Sequence, residues 1–274
     1  MQNIENTILV ASGKGGVGKS TVATNIAVTL AKKGFKTGLL DADVYGPSIP
    51  TMIGPAEKPK VHGRHIEPIE KYGLKLMSMG YLVDPNTAMV WRGPMLAGAV
   101  SQFISDVDWG ELDYLIFDLP PGTGDVQLTL AQKLQVTGSV LVTTPQTVAL
   151  ADVIRAKAMF DRVRIETLGL VENMSYFICP NCTSRHEIFS HGGGETAAKD
   201  LGIKFFGRIP LEPALRVCSD EGHPIVDAYP ESSSSRAFHD IVNRLLEHLQ
   251  TLKAAHAAST ASAAAQKRLP IIKM

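Results

Sequence analysis

The stretch GKGGVGKS at residues 13–20 constrains this chain more than any other. It follows an apolar run, Thr7–Ala11, and opens a helical run, Ser20–Lys33. Glycines tolerate positive φ and leave backbone N–H groups free of side chains, so such a loop can wrap phosphate oxygens. The helix that begins at its end adds the positive pole of the helix dipole. The spacing GxxxxGK[ST] between a strand and a helix is the Walker A pattern. It assigns Gly13, Lys14, Gly15, Gly16, Val17, Gly18, Lys19, Ser20 and Thr21 to a bound nucleotide. Lys19 is expected on the β and γ phosphates and the Ser20 hydroxyl on Mg²⁺. The bland alternative is a tight glycine turn with no ligand, and the agreement of motif and context argues against it.

Short β-rich runs alternate with helical ones along the rest of the chain. Thr37–Leu40, Leu74–Met79, Tyr114–Phe117, Ser139–Thr143, Thr167–Val171 and Lys204–Ile209 read as strands, and Ala149–Phe160 and Ser234–Leu249 as helices. The strands show little polar alternation, as expected when both faces of a sheet are covered. The expected fold is therefore α/β, a doubly wound and mostly parallel sheet with helices on both faces. Residues 1–250 are expected to form one nucleotide-binding domain. The Pro- and Gly-rich segment Gly46–Pro68 reads as surface loop, and residues 175–194 as an inserted loop carrying Cys179, Cys182, His186 and His191. Residues 251–274 are Ala-rich with no large apolar face before the closing KRLPIIKM, so they read as a flexible tail.

Composition excludes several classes. With 45% hydrophobic and 20% charged residues the chain is not globally disordered. Its 27 basic and 27 acidic residues balance, so no basic excess argues for nucleic acid as a partner. No apolar run is long enough to span a membrane, and the first residues do not form a targeting signal. Stable membrane insertion is not expected, and the cytoplasm is the expected location. Three cysteines are too few for a disulfide scaffold. Cys218 reads as a structural thiol in or near a helix.

Acidic residues close two of the strands. Asp41 and Asp43 stand just past the second strand and Asp118 ends the strand at Tyr114–Phe117. Carboxylates at strand carboxyl ends face the ligand crevice of an open α/β sheet. Asp118 takes the Walker B position for Mg²⁺, and Asp41 is expected near the same ion. An Asx turn before Gly46 is the alternative for the Asp41–Asp43 pair. The following Pro-Pro-Gly-Thr-Gly reads as a switch, with Pro121 at its bend and the Gly122 N–H placed to sense the γ phosphate.

Cys179-Pro180-Asn181-Cys182 is a single CxxC. Two thiolates make one edge of a metal site, and zinc or a cubane cluster needs four ligands. Three readings stay open on chemistry alone. The pair is a dithiol redox centre, or binds zinc with His186 and His191, or meets the same pair of a second chain across a two-fold axis.

Taken together, GKGGVGKS at 13–20, DADVYGPSIP at 41–50, WRGPM at 91–95, DLPPGTGD at 118–125, VENMSYFICPNC at 171–182 and FSHGGGE at 189–195 resemble the Mrp/NBP35 family of iron–sulfur cluster carrier ATPases, in its ApbC-like branch. The resemblance runs from about Thr7 to Leu249. It implies a homodimer of deviant Walker A ATPases in which Lys14 reaches the partner's nucleotide and Asp43 activates the attacking water, so that Lys14, Lys19 and Asp43 form the catalytic set. It implies that Asn173 bonds the adenine edge, with Pro210 on the base's other side. It implies one [4Fe–4S] cluster bridged by Cys179 and Cys182 of both subunits, with zinc as the substitute, and apo iron–sulfur proteins as clients. Trp91 and Arg92 are family-typical and read as an interface or switch contact. The N-terminal domain or cysteine motif of some relatives is not expected here. Two other functions compete: a spatial organiser like septum-placement or plasmid-partition ATPases, and an ATPase dimer with a structural zinc bridge.

Overall fold

The computed structural model describes residues 3–43, 46–55, 57–81, 93–122 and 135–266. Trp91, Arg92, the second half of the switch segment (Thr123, Gly124, Asp125) and the closing KRLPIIKM lie outside the described residues.

One sheet organises the molecule. Its strands are β1 (Ile4–Ala11), β2 (Thr37–Asp41), β5 (Ile69–Lys71), β6 (Leu74–Ser78), β7 (Leu112–Asp118), β8 (Gly138–Thr143), β9 (Thr167–Glu172) and β12 (Lys204–Arg208). They lie in the order β12-β9-β8-β1-β7-β2-β6-β5. All pairs are parallel except β5–β6, which is antiparallel. The β1 side chains divide between two cores. Ile8 and Val10 pack with α1 (Lys19–Lys32) and α8 (Ser233–Gln266); Leu9 and Ala11 pack with α3 (Gly93–Asp106) and α4 (Thr147–Arg162). Double coverage explains why the strands carry unbroken apolar runs. Helix α1 stops where Gly34 takes φ 91° and its N–H returns to the Ala31 carbonyl.

Three segments differ from what the sequence predicts. Gly46–Pro68, expected as loop, contains helix α2 (Ile49–Ile53), with Pro50 in its first turn, and a hairpin of β3 (Val61–His62) and β4 (His65–Ile66). Proline suits a helix's first turn, and Gly63 at φ 65° closes the hairpin. Residues 175–194 contain a second hairpin, β10 (Phe177–Ile178) with β11 (Arg185–His186), before α5 (Gly193–Asp200). Helix α6 (Pro213–Glu221) and the one-turn α7 (Ile225–Ala228) then lead into α8. The third difference corrects the tail. Instead of ending near Leu249, α8 continues to Gln266. An isolated Ala-rich segment must nucleate its own helix, but here Phe238, Ile241, Leu245 and Leu249 already anchor one, and alanine only has to propagate it.

A chain stopped after Lys253 tests that account. Far-UV circular dichroism should lose between about three and four turns of helix. The melting temperature should move by less than about 2 °C, because residues 254–258 are exposed. An unchanged helix signal would return the tail to a coil.

Candidate functional site

The glycine loop is shaped by what presses on it. A Cβ on Gly13 would lie 2.3 Å from the Asp152 carbonyl oxygen of α4, and one on Gly18 would lie 2.2 Å from Asn173 Nδ2. Gly16 and Gly18 take φ 79° and 80°. Val17 is buried and anchors the loop, while Lys14, Gly15 and Gly16 are exposed. Lys19, 6% exposed, forms an ion pair with Asp118 Oδ1 and donates to the Ser20 hydroxyl at 3.3 Å. The loop opens on a cleft of about 180 Å³ whose lining includes Lys14, Lys19, Ser20, Thr21, Asp43 and Pro121.

Asn173 and Pro210, expected at the base, are not among the described residues that line this cleft. The Asn173 amide is turned under the loop and donates to the Val17 carbonyl at 2.9 Å. Pro210 is buried between Ile209, whose carbonyl accepts from Ser175 N–H, and Leu211, whose N–H donates to the Tyr176 carbonyl. The Gly122 N–H, expected at the γ phosphate, donates to the Ser12 carbonyl at 3.0 Å, with Gly122 at φ 99°. Neighbouring strands β1 and β7 bring these two loops together.

Strand register places the acidic groups. Asp41 sits directly opposite Asp118 across β2 and β7, and both are fully buried. Asp41 accepts from the Asp43 N–H at 3.0 Å and the Ser78 hydroxyl at 2.9 Å. Burial, and then the neighbouring Asp118 charge, push the Asp41 carboxyl up to about 7. Burial also pushes Asp118 up, against the pull of the Lys19 ammonium. Since Lys19 rests on Asp118, that carboxylate is the ionised member and Asp41 the one that holds a proton. Asp118 Oδ2 has no hydrogen-bond partner among the described residues. A buried orphan carboxylate oxygen on Asp118, and the Ser20 hydroxyl that the same Lys19 ammonium touches, are hard oxygen donors that fit Mg²⁺. Asp43, 8% exposed, accepts from the Gly46 N–H at 3.3 Å and borders the cleft.

The cysteines sit on the β10–β11 hairpin. The Cys179 N–H donates to the Ser184 carbonyl at 3.0 Å and the Thr183 N–H returns to the Cys179 carbonyl at 2.8 Å, with Thr183 at φ 58°. Cys182 is exposed and Cys179 partly so. The Cys182 thiol donates to the Ser184 hydroxyl at 3.2 Å, and its hydrogen bonding with the Ser184 side chain, then with the Ser184 backbone and Cys179, holds it below its ordinary range. A lowered thiol gives up its proton more readily, and the thiolate is the form that a soft metal binds. His191 faces Glu187 at 3.3 Å and His186 leans on Phe177. No group of three or more His, Cys, Asp or Glu that could hold a metal exists among the described residues, so the intrachain zinc reading finds no ligand set there. Cys218 is buried on α6, where burial pushes its thiol up.

One functional candidate is not singled out by the sequence patterns above. Glu172, fully buried at the end of β9, accepts from the Ser175 hydroxyl and the Gly194 N–H, each at 2.6 Å. Its signal is the one that marks Asp118, an acid closing an apolar strand.

The proton on Asp41 has a measurable sign. Its carboxyl titrates near 7 when folded, against an ordinary 3.8, so the folded chain holds an extra proton between those values. Stability from this group is therefore lost as pH rises from about 4 to 7. Melting without nucleotide or Mg²⁺ should show wild type falling relative to Asp41→Asn across that window. A constant difference between the two would remove the raised carboxyl.

Comparison with known proteins places the chain. A family model described as NUBPL iron-transfer P-loop NTPase, of the ParA group, matches residues 3–246. An iron–sulfur cluster carrier protein of Synechocystis is 50% identical, over 88% of this chain and 70% of its own length. An Arabidopsis thaliana iron–sulfur protein required for mitochondrial NADH dehydrogenase is 49% identical, over 92% and 82%. Among solved structures, an Archaeoglobus fulgidus nucleotide-binding protein in complex with ADP superposes with a TM-score of 0.72 at 43% identity, covering 81% of this chain and 88% of that one. The cell-division ATPase MinD of Pyrococcus furiosus, at 21% identity and a TM-score of 0.68 over 89% and 99%, shares the fold. With its glycine loop, paired acids and thiol hairpin set on this sheet, the chain belongs to the NUBPL-type iron-transfer P-loop NTPases of the ParA group.

Proposed function

We propose that this protein is an ATP-dependent iron–sulfur cluster carrier, which holds a [4Fe–4S] cluster between two copies of the chain and hands it to apo-proteins. The observation that carries the reading is the exposed CxxC hairpin, with its lowered Cys182 thiol, on the same sheet end as a complete phosphate loop. One chain offers two thiolates, so Cys179 and Cys182 of two copies complete a set of four.

The residues divide the work of ATP hydrolysis as follows. Backbone N–H groups of Gly15–Thr21 and the N-terminus of α1 bind the phosphates. Lys19 leaves Asp118 for the β and γ phosphates, and Asp118 and Ser20, with Asp41 nearby, are the residues that would hold Mg²⁺. When bound, that ion neutralises charge on the phosphate oxygens. Asp43 orients the attacking water. Gly122 N–H exchanges the Ser12 carbonyl for the γ phosphate, which makes its loop the switch. Asn173 reaches the adenine edge by turning its amide out from under the loop, where it now holds the Val17 carbonyl.

A homodimer fits the surface. Lys14 is exposed at the loop's tip, and α4, which packs on Gly13 through Asp152, shows Val148 and Ile154 to solvent at 65% and 55%. The hairpin segment adds exposed Ile178 and Ile188. Isologous contact through these groups sets Lys14 against the partner's nucleotide and brings the two CxxC pairs together. Among the described residues no helix is long and apolar enough to cross a membrane. The free thiols suit a reducing compartment, and we place the protein in the cytoplasm.

Anaerobic reconstitution is the test. Broad absorbance near about 400 nm with about four iron and four sulfide per dimer, lost in Cys179→Ser/Cys182→Ser, is the expected result. Stoichiometric zinc without sulfide would replace the carrier reading by a structural bridge. In a separate assay Lys19→Ala should lower ATP turnover by about 100-fold or more, and undiminished turnover would reject the loop as the hydrolytic site.

A further inference from the structure

The segment that carries both thiols leaves the sheet after Glu172 and returns to it at α5. Both of its feet rest on one side chain. Glu172 Oε1 accepts from the Ser175 hydroxyl at the outgoing foot, and Oε2 accepts from the Gly194 N–H at the returning foot, each at 2.6 Å. The Arg208 guanidinium stands 3.6 Å from Oε1 and is itself paired with Glu195. The backbone repeats the clasp: Ile209 N–H donates to the Glu172 carbonyl and Ser175 N–H to the Ile209 carbonyl, both at 2.9 Å. A fully buried carboxylate is costly unless its oxygens are occupied, and here the donors that occupy them are the feet of the thiol segment.

The next residue faces the other way. Asn173 donates to the Val17 carbonyl inside the phosphate loop, and its amide lies so near Gly18 that a methyl there would come within 2.2 Å. The packing has the same tightness at the far foot, where a methyl on Gly194 would sit 2.7 Å from Glu172 Oε2. Phosphate loop and thiol segment therefore meet at two adjacent residues, Glu172 at the end of β9 and Asn173 just past it, with no slack between either and its neighbour. A displacement of Val17 and Gly18 cannot be absorbed at Asn173 without moving the end of the strand.

We propose that Glu172 is the positioning residue that transmits the state of the phosphate loop to Cys179 and Cys182. Nucleotide seated on the loop shifts Asn173, and the Glu172 carboxylate carries the shift to both feet of the hairpin segment at once. This rests on the nucleotide reading given above, and it does not require that a cluster be bound.

The test uses the full chain without metal. Alkylation of Cys179 and Cys182 by iodoacetamide is followed by peptide mass, with buried Cys218 as internal reference, with and without Mg²⁺ and a non-hydrolysable ATP analogue. Affinity for the analogue is measured separately. In wild type the two alkylation rates should differ by about fivefold or more, the usual floor for a coupled pair of sites. In Glu172→Gln, which keeps the shape and loses the charge that holds Arg208 and the α5 N-terminus, analogue affinity should be retained and the ratio should fall to about one. Ser175→Ala releases one foot only and should give an intermediate ratio. It carries the test alone if Glu172→Gln does not melt cooperatively, and a wild-type ratio in it would then reject the proposal. A wild-type chain that binds the analogue with a ratio of one, or a folded Glu172→Gln that keeps the wild-type ratio, overturns the proposal. A wild-type chain that binds no analogue instead overturns the nucleotide reading beneath it.

Discussion

Two carboxylates and one ammonium, withdrawn from water at the end of a parallel sheet, are the constraint around which this molecule is arranged. Asp41 and Asp118 are neighbours because β2 and β7 pair in register, and neither reaches solvent. Like charges so placed are tolerated only if one is neutralised, and Lys19, first residue of α1, does that for Asp118. The glycine loop has to end where it does for Lys19 to reach. Ser78, on the strand beyond β2, has to donate to Asp41 from the other side. The pairing of β2 with β7 and the end of the glycine loop thus converge on one electrostatic cluster, which a phosphate-bound metal ion would relieve.

The parts of this arrangement that follow local rules are legible in the amino-acid sequence. The glycine spacing, the helix that follows it and the acids that close strands each declare themselves within a few residues. The doubly wound sheet follows from strands without alternation. What stays hidden depends on partners far along the chain. Asn173 looks like a turn residue or a base contact until Val17 is seen above it. Glu172 gains its meaning only when Ser175, Gly194 and Arg208 converge on it. The antiparallel edge strand β5 is three residues long and carries no run to detect. The end of α8 is hidden for a different reason, because helix propensity misleads when the alanines are weighed as if they stood alone.

The thiols show how far composition alone can mislead. Three cysteines among neutral charge suggest nothing, yet their environments diverge sharply. Cys218 is buried on α6, where loss of water disfavours its thiolate. Cys182 meets solvent and bonds to the Ser184 hydroxyl, and its thiol is held below its ordinary range. The same element is shielded from water in one place and offered to it in the other, and the difference is made by where a helix and a turn put the sulfur.

That turn belongs to a ribbon which, among the described residues, pairs with itself and not with the large sheet. Strands β10 and β11 form a separate two-stranded sheet, two residues deep, outside the eight-stranded one. Opening such a ribbon breaks few bonds and disturbs no core side chain, so its local stability is far below that of the domain. The two thiols therefore stand on a ribbon that can open locally, above feet that are tied to the buried Glu172. A firm seat under a yielding ribbon lets the thiols change their spacing on a fast local motion while the sheet, the loop and the acids beneath stay folded.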